Sequence, residues 1–167
     1  MAIATHEVLA EKVAEQAPHL PNKNLISDLL FRRLTSRIVK DEGIEPAMAE
    51  RIVDQALGFL RLCATEPQGH YSPSPLVDIG WHTFILYTRE YAAFCNQMAG
   101  SFIHHCPFDK AGNDYGTGHV QHTVEAMQAM GISVDTMLWQ RDAACAKCVS
   151  DPNCGQGDPP SDCKSAS

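Results

Sequence analysis

No run of apolar residues in the 167-residue chain approaches the ~20 needed to cross a bilayer, so no membrane partner is expected. Basic residues are also scarce. Thirteen Lys and Arg stand against 20 Asp and Glu, a formal net charge of -7. Nucleic-acid binding normally needs a basic surface, so a nucleic-acid partner is not expected either. The opening stretch "MAIATHEVLAEKVAEQAPHL" has no basic segment leading into an apolar one, and the compartment expected is the cytoplasm. Phosphate-binding glycine loops, the G-x-S-x-G elbow and H-E-x-x-H are all missing. Period-two alternation is nearly absent, which argues against sheets.

What remains is enough apolar material for a core, at 44% of residues, spaced for helices. "HEVLAEKVAEQ" places Val8, Leu9, Val13 and Ala17 near helical spacing. "NLISDLLFRRLTSRIVKDEG" puts Leu25, Leu29, Leu30, Leu34 and Ile38 on one stripe, with Gly43 as a stop. Pro46 suits the first turn of a helix carrying Ile52, Ala56, Phe59, Leu60 and Cys63 on one face. After the loop "EPQGHYSPSP", Ser74 and Pro75 read as a cap and a first-turn proline. A single long helix is expected from Pro75 to Met98, ended by Gly100. "HVQHTVEAMQAMG" reads as a shorter helix closed by Gly131, and "ISVDTMLW" as a further turn. The fold class expected is all-α, a small helical bundle with a cysteine-rich, irregular C-terminal tail. Residues 1–142 form the expected helical domain. Residues 143–167 form the tail, with too little apolar surface to pack unless a metal ties it to the core.

Chemistry concentrates in two places. Asp78 and His82 lie four apart, which stacks them on one face of the most apolar helix. A carboxylate there either orients the imidazole or joins it as a metal ligand, and Asp78 is also the candidate acid/base. His104 and His105 follow closely. Neighbours in an extended segment point opposite ways, so one of them is expected to share a site with His82, and His104 is taken as that one. Two imidazoles and a carboxylate suit zinc, or iron if positions stay open. The second place is the tail, where Cys145 and Cys148 have thiolate-knuckle spacing and Cys154 and Cys163 follow. Seven cysteines, an odd number, fit metal binding better than a disulfide framework. The expected cofactor is one transition metal, with zinc the best match and iron or copper as alternatives. His119 and His122 are read as a solvated helix face, and Trp81, Tyr87 and Tyr91 as packing residues.

The stretch "SPSPLVDIGWHTFILYTREYAAFC", followed by "FIHHCP", resembles the glycine-rich domain-containing protein-like family, in particular its short single-domain bacterial members. The shared pattern is V-D-x-x-W-H, then Y-x-x-F-C, then F-I-H-H-x-P, and the likeness runs from about Phe59 to Cys154. It singles out Asp78, Trp81, His82, His104, His105, Cys145, Cys148 and Cys154. A second histidine common in plant relatives is replaced here by Phe84. The resemblance implies no settled activity. Three functions stay open: a zinc-bearing protein that binds an unidentified partner, a metal-dependent hydrolase or non-haem oxidase acting on a small molecule or peptide, and a metal-free adaptor.

Overall fold

Ser27 starts the first helix: its hydroxyl accepts a hydrogen bond from the Leu30 amide at 3.3 Å. The computed structural model describes residues 21–105 and 117–140. Among them, a 3-10 turn at Asn22–Leu25 leads into α1 (Asp28–Glu42), α2 (Pro46–Thr65), α3 (Pro75–Ile85), α4 (Thr88–Ala99) and α5 (Thr117–Ala129). The described residues form an all-α small bundle without strands. None of these helices is long and apolar enough to cross a membrane. The expected N-terminal helix and residues 143–167 lie outside the described residues.

α1 ends at Gly43, whose φ of 63° places it in the left-handed region that glycine tolerates. Its buried face is Leu30, Leu34 and Ile38, spaced by four. Leu29, expected on that stripe, is 64% exposed. It sits about 100° around the helix from Leu30, which turns it away from the core. α2 is buried nearly all round, from Ile52 and Val53 through Leu57, Phe59 and Leu60. A helix apolar on every side must be central, and α1, α3, α4, α5 and the 3-10 turn all pack on it.

α3 approaches α2 at Gly80. A Cβ there would sit 2.7 Å from the Ala56 Cβ and 3.0 Å from the Ile52 carbonyl oxygen. Gly80→Ala should therefore lower stability by about 1–3 kcal/mol, because two packed helices must part. Gly43→Ala is the contrast, since its site is open and only the positive φ resists a side chain. A thermal melt of Gly80→Ala that matches the parent protein would refute the close approach.

The single helix expected from Pro75 to Met98 is two helices, broken at Leu86 and Tyr87. The Tyr87 amide bonds back to the Phe84 carbonyl at 2.9 Å, a tightened last turn, and Tyr87 leaves helical geometry at ψ 61°. The cause is tertiary. Trp81 Nε1 donates to the Tyr91 hydroxyl at 2.8 Å. In one straight helix, residues ten apart lie about 15 Å apart along the axis, so that bond requires the break. The turn also folds Tyr91 and Phe94 back onto Phe84, with ring centroids 5.2 and 5.3 Å away.

The segment after α5 is held by polar bonds rather than by helix. Gln55 is buried in α2. Its Nε2 donates to the Ser133 carbonyl at 3.0 Å, and its Oε1 accepts from the Asp135 amide at 3.0 Å and from Trp139 Nε1 at 2.8 Å. Arg51 adds a forked pair to Asp135, at 2.5 and 2.8 Å. Ser74 both caps α3, accepting from the Val77 amide, and donates to the Leu138 carbonyl at 2.5 Å. The start of α3 is thereby fixed from two directions.

Candidate metal centre

Asp78 falls in the first turn of α3, where a negative charge complements the helix dipole. Its amide bonds to the Ser74 carbonyl at 2.8 Å, so the capped turn aims its side chain. His82 comes one turn later. Its Nδ1 lies 3.2 Å from Asp78 Oδ2. From the segment after α4, His105 Nε2 lies 2.9 Å from Asp78 Oδ1. One donor atom from each of the three residues falls within 4.8 Å of the others. The His82 and His105 rings are 4.2 Å apart between centroids.

Exposure is graded across the cluster. The side chains of His105, Asp78 and His82 are 11%, 23% and 55% exposed. The cluster is thus anchored in the protein on the His105 side and open to solvent on the His82 side. Trp81 forms the inner wall, its ring edge-on to His105 at 4.4 Å.

The histidine taken for this site is corrected by the structure. His104 is exposed and lies against Phe102, with ring centroids 5.0 Å apart, while His105 turns inward to Asp78. The alternation of an extended segment holds, with the opposite phase. What sets the phase is Tyr91. Its buried hydroxyl accepts from Trp81 and donates to the Ile103 carbonyl at 2.7 Å, which pins the backbone two residues before His105. Burial raises the Tyr91 pKa above its ordinary value, so the hydroxyl stays protonated and able to donate. Sequence reasoning counted Tyr91 as packing alone. Its spacing to Trp81 fits no single helix face, and so no local signal marks it.

The remaining candidates divide simply. Cys145, Cys148 and Cys154 lie outside the described residues, as do Cys106 and Cys163. Cys95 is buried in the core. Burial pushes the pKa of the Cys63 thiol up to about 12. His122 stacks on Tyr71 at 5.3 Å, away from the cluster.

Hydrogens on His82 Nδ1 and His105 Nε2 would make the cluster a closed hydrogen-bonded network. Lone pairs on the same atoms would make it a three-donor metal site. Ligands of a tetrahedral zinc ion lie about 2.0–2.1 Å from the metal and hence about 3.3 Å from each other. The 2.9 and 3.2 Å separations run to different oxygens of Asp78, and with one donor atom from each residue the three lie within 4.8 Å of one another, so the side chains must draw together for this donor set to close on zinc.

A scan against protein families matches the UCP032817-like family over residues 22–117. This overturns the resemblance to the glycine-rich domain-containing family, because the match is to a different, uncharacterised family. No curated protein and no solved structure matches the chain.

Proposed function

The chain belongs to the UCP032817-like family, and from its own side chains we propose that Asp78, His82 and His105 form a divalent transition-metal centre, with zinc the best-matched ion. The observation that supports this reading is the convergence of three ligand-type side chains from two segments onto one solvent-facing point. α3 carries Asp78 and His82, and the stretch after α4 carries His105.

Three protein donors would leave a tetrahedral ion one further position, and the 55% exposure of His82 supports access to the cluster from solvent. A metal held there supplies Lewis acidity toward a carbonyl or phosphoryl oxygen. The protein's part is to hold both imidazoles and the carboxylate in register, with Trp81 excluding water from the inner side. Two histidines and a carboxylate also suit non-haem iron, so the ion itself is the first thing to measure. A small molecule reaching the open face is the partner this arrangement favours, in a cytoplasmic setting. The second reading, a metal-free polar network, draws on the same 2.9 and 3.2 Å separations, which are also hydrogen-bond distances.

Elemental analysis of untagged protein, expressed with metals supplied, separates the two. About one equivalent of metal per chain is expected for the parent protein and for His104→Ala, whose side chain faces away. His82→Ala should fall far below one equivalent. Full metal content in His82→Ala, or none in the parent protein, would reject the proposed centre.

A further inference from the structure

The chain is acidic overall, yet one face of α1 is basic. Leu29, Arg32, Arg33, Arg37 and Lys40 line an open groove of about 340 Å³, walled on the other side by Tyr87. The Arg33 guanidinium lies over the Tyr87 ring at 4.7 Å and pairs with Glu90 at 3.0 Å, which fixes that wall. Arg37 pairs with Asp41. Among the described residues, the ion pairs on this face use Arg33 and Arg37 and leave Arg32 and Lys40 at its two ends. Leu29, 64% exposed, adds an apolar spot at the start of the groove.

We propose that this groove docks an acidic helical segment of a partner protein. Arg32 and Lys40 are eight positions apart, about 12 Å along the helix, so the ligand must present negative charges at that separation. Carboxylates two turns apart on a helix do so, and a leucine-type side chain beside them would meet Leu29. A single phosphate reaches only one end. A nucleic-acid backbone offers no aliphatic side chain to meet the exposed Leu29.

The test uses a fluorescein-labelled helical peptide with Glu at every fourth position and leucines between, followed by fluorescence anisotropy in the presence of EDTA. The chelator keeps metal out of the measurement, so failure here and failure of the metal centre are distinguishable. Binding should weaken with salt and fall about 10-fold or more in R32E/K40E. Both changed side chains are exposed, so circular dichroism should show an unaltered fold. A matching peptide with Gln for Glu should not bind. No binding of the acidic peptide at low salt, or equal binding by the parent protein and R32E/K40E, would overturn the proposal. So would charge-dependent binding to phosphatidylserine vesicles with none to the peptide.

Discussion

His105→Ala should abolish stoichiometric metal binding and lower the stability of the metal-free protein by about 1–3 kcal/mol. The two effects have separate causes. The imidazole supplies one of three donors, and the two left behind hold an ion poorly. Its loss also strips Asp78 Oδ1 of a partner and removes the ring that packs edge-on against Trp81. Zinc itself provides the discriminating readout. A ligand at 100 times its dissociation constant stabilises the state that binds it by about 2.7 kcal/mol. Added zinc should therefore raise the thermal midpoint of the parent protein and leave that of His105→Ala unmoved. The rise should shrink as the solution is acidified, because protons compete for imidazole nitrogens. Equal zinc-induced shifts in both proteins would place the metal elsewhere.

Tyr91→Phe should produce the second large effect, at a distance from the donors. The ring remains, with its contacts to Phe84 and Phe102. Only the hydroxyl goes, and with it the bond from Trp81 Nε1 and the bond to the Ile103 carbonyl. A buried indole N–H without a partner costs about 1–3 kcal/mol. The backbone leading to His105 also loses its clamp, and orienting groups of this kind are typically worth about 10- to 100-fold in metal affinity. Affinity is the informative measurement, made well below the variant's melting temperature. An unchanged zinc dissociation constant beside a lowered midpoint would reduce Tyr91 to a packing residue.

Much of the fold is legible in the residues because its signals are local. Ser74, Pro46, Gly43 and Gly100 each mark a helix end through their own hydrogen bonds or dihedral preferences, and each stands where those preferences put it. Asp78 and His82 are legible as a pair for the same reason, since helical spacing alone stacks them. The break at Leu86 and Tyr87 is not legible. No proline or glycine marks it, and it follows from a bond between Trp81 and Tyr91 that exists only once the chain has folded. The choice between His104 and His105 depends on that same Tyr91, through Ile103. Leu29 shows the limit of stripe counting, because the apolar face of α1 is satisfied by Leu30, Leu34 and Ile38 without it.

The most direct measurement is a crystal grown with zinc and measured on both sides of the zinc absorption edge. An anomalous peak between Asp78, His82 and His105, about 2.0–2.1 Å from a nitrogen of each imidazole, is the predicted result. Clear density for the three side chains with no peak among them, or a zinc peak held only by the tail cysteines, would contradict it.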